Sequence, residues 1–356
     1  MARIAMLLVL AGALAWPAVE ATPGRAGDLE RARASFRAME RTFYDHDADD
    51  YRELARGPVG SHAWPFSQAL AAQIAVARLP QLARQAAVHA RLAALERRFA
   101  RSTTFTAWPN GSVYLDDNEW IAQDLLDWGD LTGSAAPRAS AEAIFAAVTA
   151  AWDSSTTHPC TGGVYWTTSS ANRDRNTVST ANGALVGLRL YAATKNPTYL
   201  TWSQQMLAWL DRCMLAPNGL YWDHIAGSGA VDQTEWSYNE GSVIGANVLL
   251  YQTTGNAEAL TRAEQLADAS LDYFDSRWST GEPPEFAVIF FRNLLRLAAV
   301  DGRQDYVAAA EQYGDDQWQN ARDPKSGLFR FGGRTTLLQQ AALVQLYAAL
   351  AATDGS

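Results

Sequence analysis

Apolar residues recur at helical spacing along nearly the whole chain, and sustained strand-type alternation is almost absent. The pattern predicts about twelve helices, near 29–44, 64–78, 84–100, 117–131, 138–152, 177–194, 198–214, 240–253, 257–275, 286–300, 303–320 and 335–352. Two kinds alternate. Those starting near 64, 117, 177, 240, 286 and 335 are apolar almost all round, as in Gly183-Ala184-Leu185-Val186-Gly187-Leu188, which marks a helix buried on every side. Their partners are amphipathic, as in Ala263-Glu264-Gln265-Leu266-Ala267-Asp268, and suit an outer layer.

The connections alternate as well. Short ones carry helix-stop chemistry, such as Thr132-Gly133, Lys195-Asn196-Pro197, Thr254-Gly255-Asn256 and Asp301-Gly302-Arg303. Long ones hold Trp108-Pro109-Asn110-Gly111, Asn218-Gly219-Leu220-Tyr221-Trp222 and Phe329-Arg330-Phe331-Gly332-Gly333. Six buried and six amphipathic helices in alternation predict two concentric rings, an all-α (α/α)6 barrel in a single domain. The rival is an open solenoid of helical hairpins, but the buried-helix starts are too unevenly spaced for a strict repeat. In a closed ring every inner helix presents its N-terminus, with unpaired N–H groups and a positive dipole end, to the face bearing the long loops. Polar chemistry is expected there.

The chain has 356 residues, 48% of them hydrophobic and 19% charged, enough for one large core and unlike a disordered chain. Net charge is −9 and no Lys/Arg-rich run occurs, so nucleic acid is not an expected partner. Met1-Ala2-Arg3, the apolar run from Ile4 to Trp16 and the small residues before Ala21 read as a secretory signal spanning residues 1–21. That run is too short for a bilayer, and no later run is long enough. The expectation is a secreted or periplasmic protein with a barrel over 22–356 and no membrane span. In an oxidising compartment the two cysteines, Cys160 and Cys213, either pair or remain two small buried hydrophobes.

Several chemistries drop out at once. The five histidines form no His-Glu-x-x-His pair, and neither a Gly-x-Ser-x-Gly elbow nor a phosphate-binding Gly-Lys-Ser/Thr loop occurs. Asp45-His46-Asp47-Ala48-Asp49-Asp50 opens like a calcium loop, but Asp50 stands where glycine is needed and Arg56 where the bidentate glutamate belongs. A solvated acidic turn is expected, and no metal or cofactor.

Tyr114-Leu115-Asp116-Asp117-Asn118-Glu119-Trp120 lies at the start of the second inner helix. Two neighbouring carboxylates at a funnel mouth suit glycosidic chemistry, because like charges held together push one pKa up and leave the other group ionised. Asp116 with Glu119 three residues on also reads as a capping box, which needs no catalysis. The loops are rich in aromatics where ordinary loops are polar: Trp108, Tyr165, Trp166, Tyr221, Trp222, Trp236 and Tyr238 among them. Flat rings stack on the apolar faces of sugars, although some of these residues are expected to be buried loop anchors.

The Tyr114–Trp120 segment resembles the paired-aspartate motif of family 76 of the glycoside hydrolases, the endo-α-1,6-mannanases, which are (α/α)6 barrels. Further segments match in order: Gly162-Gly163-Val164-Tyr165-Trp166, Arg175-Asn176 through Asn182, Trp236-Ser237-Tyr238-Asn239-Glu240-Gly241, and Phe286 through Arg292. The resemblance implies a retaining hydrolase of α-1,6-mannan or a related mannose-containing oligosaccharide. Asp116 would be the nucleophile and Asp117 the general acid/base; Asn182, Asp223, Asn239 and Arg292 would contact or support the sugar. Two positions depart from the family pattern: Ala287-Val288 where a Lys-Gly pair is usual, and Glu240 where Gln is usual. Lost basic and amide groups near the funnel would alter sugar or linkage. The alternatives are a transglycosylase, another sugar-active enzyme of the same barrel shape such as a hydrolase of unsaturated uronides, and a non-catalytic glycan-binding protein. A uronide enzyme would need basic residues at the funnel base, where only Arg175 and Arg292 are candidates.

Overall fold

A computed structural model describes residues 23–83, 85–278 and 281–353. Twelve α-helices lie within them: α1 (Pro23–Phe43), α2 (Ala63–Ala77), α3 (Gln85–Phe99), α4 (Leu115–Thr132), α5 (Ala136–Ala150), α6 (Thr177–Thr194), α7 (Pro197–Cys213), α8 (Ser237–Thr254), α9 (Ala257–Phe274), α10 (Pro284–Asp301), α11 (Gln304–Asp316) and α12 (Leu337–Thr353). The even-numbered helices touch in the cyclic order α2, α4, α6, α8, α10, α12 and back to α2. That closure makes the molecule an (α/α)6 barrel and excludes the open solenoid. The odd-numbered helices pack outside. The predicted secretory segment falls outside the described residues.

The two rings differ as their sequences require. In α6 every residue from Thr177 to Leu188 is buried, whereas α9 buries only one stripe, including Ala259, Ala263, Leu266 and Ala267. The tight turns run from inner to outer helices, with Gly133, Gly255 and Gly302 each in the left-handed conformation just past an inner helix. The long connections run from outer to inner helices and carry seven two-residue strands. β1 (Tyr44–Asp45) pairs with β2 (Asp50–Tyr51), and β3 (Ala100–Arg101) with β4 (Thr104–Phe105). β5 (Arg175–Asn176), β6 (His224–Ile225) and β7 (Val231–Asp232) form one antiparallel sheet. These strands are too short for a period-2 pattern to announce them. After α11 the chain continues as a π-helical turn over Gln317–Ala321, so the predicted helix near 303–320 ends in a different winding.

The acidic segment 45–50 is not simply solvated. Asp45 accepts the N–H groups of Asp47 and Ala48 and pairs with Arg52, Asp49 pairs with Arg97, and Asp50, 1% exposed, pairs with Arg98 at 2.9 Å. Arginines occupy these carboxylates as hairpin staples. Cys160 and Cys213 form a disulfide with a Cα–Cα separation of 6.1 Å, tying the long loop before α6 to the end of α7.

Candidate active site

A cleft of about 650 Å³ opens where the inner helices begin. Every inner helix contributes to its lining: Trp64 and Pro65 from α2, Asp116, Asp117 and Trp120 from α4, Val178 from α6, Tyr238 from α8, Phe286 and Ile289 from α10, and Leu338 from α12. The long loops add Glu53, His62, Trp108, Tyr114, Trp166, Asp174, Asn176, Asp223 and His224.

Asp116 and Asp117 sit half-buried in the first turn of α4, but neither caps it. The N-cap is Tyr114, in an extended conformation and with no side-chain capping bond. Glu119 is 0% exposed, with neither carboxyl oxygen hydrogen-bonded. The reciprocal bonds of a capping box are therefore absent, and that reading of the motif fails.

The two aspartates have different surroundings. Burial lifts the Asp116 pKa to about 6, although the Trp166 indole N–H and nearby backbone N–H groups favour its anion. Burial pushes Asp117 well above the usual carboxylate range, and the charge of Asp116 adds to the shift. Both shifts run upward, and the charge of Asp116 makes Asp117 the harder of the two to ionise. Trp166 Nε1 donates to Asp116 Oδ2 at 3.1 Å, and the Trp166 backbone carbonyl accepts from Leu115 N–H at 2.9 Å. The loop is thereby pinned to the start of α4. Upstream, Gly162 (φ +113°) and Gly163 (φ +83°) lie against Trp209, where an added Cβ would fall 2.6 and 2.5 Å from the indole, so both conformation and space require glycine.

The floor of the cleft is an apolar cluster separate from the main core: Trp120, Val178 and Ile289, with Trp64 and Tyr238 packed on it. Phe286 stands 4.1 Å from Tyr238 and 6.3 Å from Trp64 between ring centroids. Trp108, 43% exposed, meets His62 edge-on at the rim. Across the cleft, Asp223 accepts from Tyr238 Oη at 3.2 Å, from Asn239 Nδ2 at 3.4 Å and from His224 Nδ1 at 2.8 Å. That carboxylate raises the His224 pKa.

Of the residues singled out by sequence, Asp116, Asp117, Trp108, Trp166, Asp223 and Tyr238 meet in this cleft. Asn239 is fully buried just behind Asp223. Trp236 stands behind the wall, 5.5 Å from Phe286. The others lie elsewhere. Tyr165 bonds to Asp153, Tyr221 is buried and bonds to Asp211 and Arg262, and Trp222 packs on the main core. Asn182 lies fully buried inside the ring, accepting from Gln123. Arg292 lines a different cavity. Trp64, Asp174, Asn176 and His224 were not singled out by sequence. Trp64 had a signal, a tryptophan in the first turn of an inner helix, but the loop residues are brought in only by the β5–β7 sheet.

The two departures from the family pattern do not reach the lining. Ala287 and Val288 are 0% and 1% exposed in the core. Glu240 is fully buried, accepts from Tyr221 N–H at 3.0 Å, and its burial pushes its pKa well above the usual carboxylate range. A neutral carboxyl there is close in shape and bonding to the amide of glutamine.

The lining carries five carboxylates, Glu53, Asp116, Asp117, Asp174 and Asp223, and no Arg or Lys. Arg175 is buried in an ion pair with Asp153 at 2.7 Å. The lining thus offers an anionic sugar carboxylates and no guanidinium or ammonium partner. Asp223, His224 and Asp232 each place a ligand atom within 4.8 Å of the others, the one such trio among the described residues. Asp223 and His224 bond to each other, and Asp232 accepts from Thr234 N–H at 2.9 Å.

Fold and cleft together define the class: an (α/α)6 barrel whose loop-bearing face holds an acidic, aromatic-lined cleft over paired aspartates. The chain belongs to glycosyl hydrolase family 76, whose model matches residues 29–281. A Saccharomyces cerevisiae mannan endo-1,6-α-mannosidase, DCW1, is 31% identical over 146 residues, which cover 38% of this chain and 31% of that protein. The match therefore spans about a third of the curated relative's length. Two solved structures share the fold. The α-mannanase BT2949 of Bacteroides thetaiotaomicron gives a TM-score of 0.82 at 18% identity, covering 91% of this chain and 95% of that one. An inactive variant of the α-1,6-mannanase GH76A of Salegentibacter sp., with two consecutive aspartates replaced by asparagine and α-1,6-mannotriose bound, gives 0.79 at 21%, covering 92% and 99%.

Proposed function

We propose that the protein is an exported, retaining glycoside hydrolase that cleaves α-1,6-mannan or a related α-mannoside. The observation that carries this reading is the adjacency of Asp116 and Asp117 in the lining of the cleft, where burial and the charge of Asp116 oppose ionisation of Asp117. The names of the yeast relative and of the Salegentibacter neighbour support the substrate class, and the neighbour's paired aspartates support the residues. The Cys160–Cys213 disulfide accords with export to an oxidising compartment.

The anionic Asp116 attacks the anomeric carbon from one face of the sugar while Asp117 gives its proton to the departing glycosidic oxygen. A glycosyl ester on Asp116 results. Asp117, now a base, takes a proton from an incoming water, whose oxygen displaces Asp116 from the anomeric carbon. Two inversions give net retention, and both carboxyls regain their starting states. Trp64, Phe286, Tyr238 and Trp108 supply flat faces for successive rings, and Asp223 accepts from sugar hydroxyls. The acidic lining favours this neutral substrate over a uronide.

The test is a product profile on yeast α-1,6-mannan backbone, debranched mannan and bacterial lipomannan, with anomeric configuration followed by NMR. Release of α-configured reducing ends is expected. Products lengthened by transfer to a sugar acceptor would redefine the protein as a transglycosylase, and inertness on all three would refute the substrate class.

A further inference from the structure

A second cavity, of about 310 Å³, lies at the opposite end of the barrel, toward the C-terminal ends of the inner helices. Arg78, Arg292, Arg296, Asp127 and Gln345 supply its polar lining. On α10, Ile289 borders the catalytic cleft, while Arg296 comes seven residues later, about 10 Å further along the helix.

The charges here do not balance. Asp127 is shared by Arg78 at 3.0 Å and Arg189 at 2.8 Å, and Arg189 also reaches Asp130 at 2.8 Å. Arg292 and Arg296 have only neutral partners: Arg292 donates to Gln345 Oε1, and Arg296 to Asn293 Oδ1 at 3.0 Å. Among the described residues no carboxylate lies within ion-pair distance of either. Asp127 and Asp124 act on the two guanidiniums only from beyond that distance, and burial raises the Asp124 pKa well above the usual carboxylate range. Burial, and next the charge of Arg292, bring the Arg296 pKa down to about 10, the direction expected of two cations confined together.

Two half-buried guanidiniums on one cavity wall without a carboxylate in direct contact are costly, and each offers a planar fork of donors. The cavity has room for a small oxyanion and its waters. We propose that Arg292 and Arg296 form a binding site for a small tetrahedral oxyanion of the phosphate or sulfate type, at the barrel end remote from the cleft. The anion accepts from both forks and places a negative charge in direct contact with both guanidiniums.

The test is calorimetric titration of the full chain with inorganic phosphate and, separately, with sodium sulfate, at ionic strength held constant with chloride. Saturable binding at one site per chain is expected, with the tighter anion naming the source. Arg296→Gln should weaken it about tenfold or more while the circular dichroism spectrum is unchanged. Should that variant fail to fold, wild-type crystals soaked in selenate decide the matter through an anomalous peak between the two guanidiniums. No saturable heat, equal affinity in a folded Arg296→Gln, or selenate elsewhere would overturn the proposal.

Discussion

The indole of Trp166 donates to Oδ2 of Asp116 at 3.1 Å across 50 positions of sequence. It opposes the burial that raises this carboxyl's pKa, and so helps keep Asp116, the proposed nucleophile, ionisable in a site where burial pushes Asp117 well above the usual carboxylate range. Trp166→Phe keeps the ring and removes the donor. The acid limb of kcat/KM, expected near pH 6 in the parent, should move up by about one unit, since a hydrogen bond to a charged group contributes about 1.5 kcal/mol. A pH profile checks this, and an unmoved acid limb would show that the bond does not tune Asp116.

The same shift has a consequence for folding. The folded-state value of about 6 for Asp116 exceeds the ordinary aspartate value of about 3.9, so the folded chain binds this proton more tightly than the unfolded one. The resulting stabilisation is complete below about pH 4 and is lost as pH rises through about 6. Asp116→Asn should therefore flatten that part of the stability curve and leave the variant at least as stable as the parent at pH 8. Denaturant unfolding from pH 4 to 8 measures it, and a variant clearly weaker than the parent at pH 8 would count against the assignment.

Trp108, exposed at the rim, should act on binding more than on chemistry. Trp108→Ala is expected to raise KM for longer oligosaccharides about three- to tenfold while kcat changes less than about twofold, because a rim ring stacks on ground state and transition state alike. Steady-state kinetics on mannan oligosaccharides of increasing length checks the split. Equal loss in kcat would place the indole nearer the reacting sugar.

The architecture was legible because the alternation of all-apolar helices such as α6 with striped ones such as α9 is a direct imprint of two rings, and Gly133, Gly255 and Gly302 punctuate it. The paired aspartates were legible as a motif, but not in their role. Sequence spacing cannot distinguish an N-cap from the second helical residue, and only the placement of Tyr114 at the cap removes that reading. The aromatic loops were legible only as a set. Tyr221 and Trp166 are similar loop residues in sequence, yet Asp211 and Arg262 hold Tyr221 away from the cleft while Leu115 and Asp116 hold Trp166 in it. Those partners are long-range in sequence. Arg292 shows the same limit: its position on α10 is right for the ring interior, but its depth puts it below the floor.

Activity should survive EDTA, since two carboxylates can complete glycosidic cleavage and the hairpin carboxylates at 45–50 already hold arginines. An assay with excess chelator tests this. Complete loss restored by calcium would point to Asp223, His224 and Asp232 as a metal site.

The paired-aspartate mechanism is tested most directly by turnover of Asp116→Asn and Asp117→Asn on α-1,6-mannan, compared with a mannoside bearing a good leaving group. Asp116→Asn should lose at least about a thousandfold on both substrates while still binding oligosaccharide, because an amide cannot form the glycosyl ester. Asp117→Asn should be severely impaired on mannan but much less so in the first, bond-breaking step on the activated mannoside, whose leaving group needs no proton. Near-normal turnover of mannan by both variants would contradict the mechanism and leave Asp116 and Asp117 as acidic residues at the start of a helix.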